Sequence, residues 1–261
     1  MSSNDADPIE ERLRQRVAGN HPLHMEPKAA EPRGSSPYTL LAVASIAFAL
    51  GGLWGVSLLT FLVGGFVMYW WSTYQLGFFL TAWAFFHWAE FAVTAGWNLE
   101  KCNVDSFLLN NGNMYYVAHM TALAEYLITL YFFPGFKQHL YVSQLGILLV
   151  LLGQAIRSLA MIHASTNFSH TVAFEKRANH RLVVDGVYAW FRHPSYAGFF
   201  YWALGTQLVL QNPLSFSLYS ILLWRFFYYR TRAEERALIK FFGQNYVEYR
   251  QRVGTKMPFI P

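Results

Sequence analysis

The chain has 261 residues, of which 54% are hydrophobic, 18% aromatic and only 13% charged, against roughly 25% charged in an average soluble domain. That balance excludes an ordinary water-soluble globule and places the chain in a membrane. The formal charge of +5 does not argue for nucleic acid, because the basic residues lie outside the apolar runs and gather late in the chain, as topology signals do. The lone cysteine, Cys102, excludes an internal disulfide and a cysteine metal cluster.

The first 37 residues are polar and punctuated by Pro8, Pro22, Pro27, Pro32 and Pro37, with no apolar core of signal-peptide length, and read as a disordered arm. His21 and His24 fall there without supporting ligands. Tyr38 to Trp71 is uncharged, and as one helix would run about 51 Å. The expectation is therefore two helices, broken at Gly51 and Gly52. Gly51, Gly55, Gly64 and Gly65 would permit close helix packing.

A third span over about 76–97 carries His87 and Glu90 on one helical face. A fourth, over 114–133, carries His119 and Glu125 and ends at Pro134 and Gly135. Ionisable groups at that depth invite a functional reading, and helix-to-helix hydrogen bonding is the structural alternative. No H-E-x-x-H spacing supports a metal. The fifth span, over 140–164, is interrupted by Gln144, Gln154 and Arg157. Arg157 either reaches back to the interface or faces a cavity and holds an anion through its planar fork.

Residues 165–193 form the longest polar connection of the second half. They hold His170, His180, Lys176, Arg177, Arg181 and Arg192 against Glu175 and Asp185, a positive balance that marks the cytosolic side. Leu182, Val183 and Val184 read as a short extended run and Asp185-Gly186 as a turn, so the loop is expected to be folded, with a ligand or lid role. Two apolar segments, 196–211 and 214–229, flank Asn212 and Pro213 and predict a helical hairpin. The tail, 230–261, is basic and amphipathic through Leu238, Ile239, Phe242, Tyr246 and Tyr249, with Gly243 as a break. If the hairpin closes, Glu234 and Glu235 come near Arg192 and His193. Helix-end electrostatics is the plainer account of that cluster.

The stretch YAWFRHPSYAG at 188–198 sets a charged pair and a proline between aromatics at the mouth of that hairpin, and reads as the rim of an active site. Together with ASTNFSH at 164–170, WRFF at 224–227, the Glu234-Glu235 pair and YVEYRQR at 246–252, it resembles the isoprenylcysteine carboxyl methyltransferases across the C-terminal half. The first half resembles them only in hydrophobic layout. Lipid N-methyltransferases and membrane sterol reductases share the R-H-P-x-Y-x-G portion.

The resemblance implies methyl transfer from S-adenosylmethionine to the C-terminal carboxylate of a prenylated cysteine, in the endoplasmic reticulum membrane, with the active site facing the cytosol. The fold expected is all-α and polytopic, with about seven to eight transmembrane helices. Residues 38–133 would be scaffold and 134–261 the catalytic region. No G-x-G-x-x-G follows a strand, so the fold is not Rossmann. The expected cofactor pocket uses His180, Leu182, Val183, Gly186, Tyr188, Arg192, His193, Pro194 and Tyr196. Arg192 and His193 would meet the carboxylate of the methionine part, and Glu235 its ammonium. Arg157 and Arg230 are the candidates for the substrate carboxylate, and Phe199, Phe200 and Trp202 for the wall along the lipid chain. A phospholipid amine acceptor, a nicotinamide-dependent reductase, and a non-enzymatic receptor or transporter are the alternatives.

Overall fold

The computed structural model describes residues 40–66, 69–171 and 180–261. The expected arm, with His21 and His24, and the loop residues Glu175, Lys176 and Arg177 lie outside the described residues. Among those described, all regular structure is helical: α1 Leu40–Leu62, α2 Tyr74–Trp97, α3 Asn113–Phe132, α4 Leu140–Ala164, α5 Pro194–Leu210, α6 Pro213–Phe242 and α7 Gln244–Arg252. Short 3-10 turns link them. Three helical stretches, Leu40–Leu62, Tyr74–Trp97 and Leu140–Asn167, are long and apolar enough to cross a membrane.

The expected break at Gly51 and Gly52 is not there. Helix α1 runs through both, and the chain turns at Gly64 and Gly65, whose φ values are +78° and +103°. A glycine pair costs a helix only about 1 kcal/mol per residue, too little to end one in a strongly apolar segment. One helix thus replaces two between 38 and 71, where the expected span count had placed a pair. The glycines that bring helices together are also different ones. A Cβ on Gly51, Gly52, Gly55 or Gly64 would meet nothing within 4 Å.

Close backbone contacts occur between α1 and α2, at Gly77 beside Phe61, and between α4 and α5. A Cβ on Gly153 would lie 2.6 Å from the Gly198 carbonyl, and one on Gly205 would lie 2.8 Å from that of Gly146. These glycines recur at a seven-residue interval on both helices and let the backbones touch. Helices α2 and α6 pack beside the pair, and Phe86, Val150, Trp202, Val209 and Tyr219 fill the space between them.

Of the ionisable residues of the first half, His87 and Glu125 serve this packing. His87 lies between the Phe107 carbonyl, at 2.7 Å, and the Tyr115 hydroxyl, at 2.8 Å. Glu125 accepts the amides of Leu214 and Ser215 at 2.9 and 2.6 Å, capping the N-terminus of α6 from α3. At the same end, Lys137 Nζ donates to the carbonyls of Leu210 and Gln211 and to Asn212 Oδ1, at 3.0, 2.9 and 2.8 Å, closing the C-terminus of α5. The opposite end of the bundle is left to the site.

Candidate active site

Two cavities meet at that opposite end. The smaller, about 110 Å³, is lined by charged, polar and apolar side chains and lies between the 164–169 and 180–183 segments, the start of α5, the outer half of α6, and α7. The larger, about 470 Å³, is mostly apolar and runs down between α3, α5 and α6. Phe168, Ser169, Ser195 and Tyr196 line both.

The small pocket gathers His180, Leu182, Val183, Tyr188, Arg192, His193, Pro194 and Tyr196, as expected from the sequence. Residues 180–183 do so without forming a strand, and Val184 lies outside the lining. The pocket also takes in Glu234, expected near Arg192 and His193, and Leu238, Phe242, Tyr246 and Tyr249, which were legible as an amphipathic face but not as a site. The outward extension of α6 brings them. The helix continues past Tyr229 to Phe242, then breaks at Gly243, φ +54°.

Two expected pocket residues lie elsewhere. Gly186, φ +58°, makes its close approach to His163: a Cβ there would fall 2.3 Å from His163 Nδ1, the atom that accepts the Val187 amide at 3.1 Å. Glu235 points away from the pocket into a buried charge cluster. It accepts from Arg192 Nε at 2.6 Å and lies 3.3 Å from His193 Nε2 and 3.4 Å from Arg250 Nε. Burial alone would raise its carboxyl, but the His193 hydrogen bond and the charges of His193, Arg192 and Arg250 outweigh burial and hold it below the usual carboxylate range.

Arg192 itself touches the pocket, yet its donors serve the tail. Nη1 reaches the carbonyls of Arg250 and Val253 at 3.1 and 2.7 Å, Nη2 that of Pro261 at 2.5 Å, and its own amide that of Gly254 at 2.9 Å. The guanidinium therefore anchors the segment that carries Tyr246 and Tyr249. Glu234, not Glu235, is the carboxylate on the pocket. Its Oε2 accepts from the Tyr196 hydroxyl at 2.5 Å. The Tyr246 hydroxyl, buried in the lining, has no partner among the described residues.

The large cavity has a cationic mouth. Arg230 donates Nε to the Tyr196 hydroxyl at 2.9 Å and Nη2 to the His170 carbonyl at 2.5 Å. Arg157 also faces the cavity, but both oxygens of Glu90 hold it from behind, through Nε and, at 2.9 Å, Nη2. Its Nη1 donates to Ser195 Oγ at 3.1 Å, and its guanidinium lies between the rings of Phe86 and Phe199, 5.2 and 5.4 Å from their centroids. His170 completes the mouth. Burial pushes its imidazole down to about 4; Glu90 pulls the other way, and Arg157, Arg230 and Lys101 add to the fall.

Below the mouth, Phe199, Trp202, Ala203, Leu222, Leu223, Phe226 and Phe227 form apolar walls, and His119 and Tyr219 lie toward the floor. Phe200, expected on this wall, instead packs with Ala197, Phe227, Met257 and Ile260 under the tail. The reason is helical phase, since it stands about 100° around α5 from Phe199.

An apolar helical bundle with a pocket at one rim, opening into an apolar cavity among its helices, defines an integral membrane protein with a candidate site at that rim. The family model for the isoprenylcysteine carboxyl methyltransferases matches residues 145–240. The protein-S-isoprenylcysteine O-methyltransferase of Saccharomyces cerevisiae is 47% identical over 188 residues, covering 70% of this chain and 79% of that protein. The Schizosaccharomyces pombe enzyme is 40% identical over 242 residues, covering 86% of this chain and 98% of that protein. The human enzyme is 45% identical over 190 residues, 73% of this chain. The match spans just under two thirds of the Xenopus laevis and human relatives, 64% and 66% of their lengths. The solved structure of a eukaryotic intramembrane Ras methyltransferase of this type superposes with a TM-score of 0.80 at 36% identity, covering 98% of this chain and 88% of that one. The chain belongs to the isoprenylcysteine carboxyl methyltransferase family.

Proposed function

We propose that the protein transfers a methyl group from S-adenosylmethionine to the C-terminal carboxylate of a prenylated cysteine, farnesyl or geranylgeranyl, in the endoplasmic reticulum membrane, with the small pocket facing the cytosol. One observation carries this reading: a pocket with charged and polar side chains in its lining and an apolar cavity share Phe168, Ser169, Ser195 and Tyr196. A soluble charged reactant and a lipid chain thus reach one point from opposite sides.

The small pocket suits the cofactor's chemistry. Glu234 offers a carboxylate for the ammonium, Leu182, Val183, Leu238 and Phe242 an apolar surface for a base, and Tyr246 an unpartnered hydroxyl. When bound, S-adenosylmethionine supplies an electrophilic methyl group on a sulfonium. The chain then has little acid or base work to do, because a carboxylate is already ionised near pH 7. Its work is alignment and exclusion of water. Arg230, with Nη1 unused among the described residues, and Arg157, fixed by Glu90, orient the acceptor carboxylate at the mouth. Phe199, Trp202 and Phe226 enclose the prenyl chain. Tyr196 spans the junction, bound to Arg230 on one side and to Glu234 on the other.

The test is label transfer from S-adenosylmethionine by protein purified in detergent, offered a farnesylated cysteine analogue and phosphatidylethanolamine together. Base-labile label on the prenylcysteine is the expected result. Label on the lipid alone would make the acceptor an amine. Absence of transfer together with binding of a reduced dinucleotide would turn the reading to a reductase.

A further inference from the structure

The mouth of the large cavity holds an imbalance for which alignment alone gives no reason. Two guanidiniums, those of Arg157 and Arg230, line it, and the acceptor brings one carboxylate. Glu90 lies behind Arg157, only 1% exposed, outside the cavity lining, with both carboxylate oxygens on the guanidinium. Burial pushes the His170 imidazole down to about 4, so it is neutral at pH 7, and Lys101 lies outside the cavity lining, with its Nζ on the carbonyls of Thr166 and Phe168. Counting the side chains that line the mouth together with Glu90 behind them, the mouth presents one net positive charge.

We propose that Glu90 is a positioning and charge-setting residue: by neutralising Arg157 from behind, it leaves one uncompensated cation to meet the acceptor carboxylate and keeps that carboxylate nucleophilic. This rests on the methyl-transfer reading. As the acceptor oxygen forms its bond to the methyl carbon, the sulfur–methyl bond breaks. The carboxylate's negative charge and the sulfonium's positive charge cancel, giving a neutral ester and a thioether with no proton moved. Positive charge at the mouth consequently stabilises the reactant carboxylate more than the transition state, in which that charge is fading. Interactions stronger in the ground state than in the transition state slow the step. Without Glu90 the mouth would carry two cations for one carboxylate.

The experiment compares wild type, Glu90→Gln and Glu90→Asp for esterification of an S-farnesylcysteine analogue, with S-adenosylhomocysteine binding as the measure of a folded cofactor pocket. E90Q is expected to lower KM for the acceptor by about threefold or more and kcat by about tenfold, the latter corresponding to ~1.4 kcal/mol. E90D keeps the charge and is expected to leave KM near that of wild type. A raised KM in E90Q, or E90D matching E90Q, would overturn the charge-setting role in favour of a purely structural one. Wild type also carries a test that needs no variant. A dianionic phosphonate analogue of the acceptor should compete no better than the monoanionic carboxylate, and clearly tighter binding of the dianion would mean two uncompensated cations and sink the proposal. A wild type that methylates no prenylcysteine would instead overturn the functional reading beneath it.

Discussion

Tyr196 accepts the Arg230 Nε–H at 2.9 Å while donating its own proton to Glu234 at 2.5 Å, so one hydroxyl ties the cation of the large cavity to the carboxylate of the small pocket. The Arg230 guanidinium also lies 5.1 Å from the centre of the Tyr196 ring. In the proposed reaction, a single side chain in the first turn of α5 would thus set both the cation that meets the acceptor and the pocket carboxylate. Tyr196→Phe is expected to lower kcat by about 10- to 100-fold, the scale of hydrogen bonds to charged partners, with a smaller change in either KM. Initial-rate kinetics with each reactant varied in turn would check this. An unchanged kcat would remove Tyr196 from the junction.

The Arg192–Glu235 pair makes the tail acid-sensitive. Because burial is outweighed by His193, Arg192 and Arg250, which hold the folded carboxyl of Glu235 below its ordinary value of about 4.5, its stabilisation is fully present above about pH 4.5 and is lost as pH falls through the folded value. Glu235→Gln should flatten the acid side of the stability profile. Breaking so buried a pair costs about 3–5 kcal/mol, with cleavage by protease in the 253–260 segment as the local readout. A profile parallel to that of wild type would count against the assignment.

Gly186 tests the turn that leads into the R-H-P motif. Gly186→Ala forces a side chain into a backbone at φ +58° and against the His163 ring. The conformational cost alone is roughly 1–2 kcal/mol. The expected outcome is weakened cofactor binding through displacement of Tyr188, measured by titration calorimetry with S-adenosylhomocysteine, and partial recovery when His163→Ala is added. Lack of recovery would mean the ring is not the obstacle.

The α4–α5 contact couples fold to site. A Cβ on Gly198 would lie 2.7 Å from the Arg157 amide nitrogen and 2.9 Å from Arg157 Cβ. Gly198→Ala should therefore destabilise by about 1–3 kcal/mol, as overpacking does, and disturb acceptor KM through Arg157. Thermal midpoint and kinetics in the same detergent should move together. Gly51→Ala, with open space around its Cβ, should leave both nearly unchanged.

Several parts of this molecule were legible in the residues. The apolar runs fixed the helices over 74–97, 113–132 and 140–164 to within a few residues, and Pro194 and Pro213 marked two helix starts, since proline suits a first helical turn. The polar loop and the R-H-P stretch marked most of the small pocket. Gly51 and Gly52 misled because a glycine pair weakens a helix without ending it. Gly64 and Gly65 end it through backbone angles that sequence does not display. Gly186 and Glu235 misled in a different way: each is a close-approach or charged residue in the right neighbourhood, turned toward His163 in one case and Arg192 in the other.

The sequence by itself determined that the chain is a helical membrane protein, where most of its helices run, and which stretch lines most of the small pocket. Those properties follow from local quantities: the hydropathy of consecutive residues, the geometry of proline, and the placement of charge along the chain. Only the tertiary structure decided that Glu90 belongs to Arg157, that Glu234 and not Glu235 faces the pocket, and that Phe86, His119 and Tyr219 share a cavity with Arg230. The partners Glu90 and Arg157 lie 67 positions apart, and nothing between them records their pairing. It arises because the glycine seam draws α4 against α5 and sets Arg157 beside α2, where a buried guanidinium requires a carboxylate within reach.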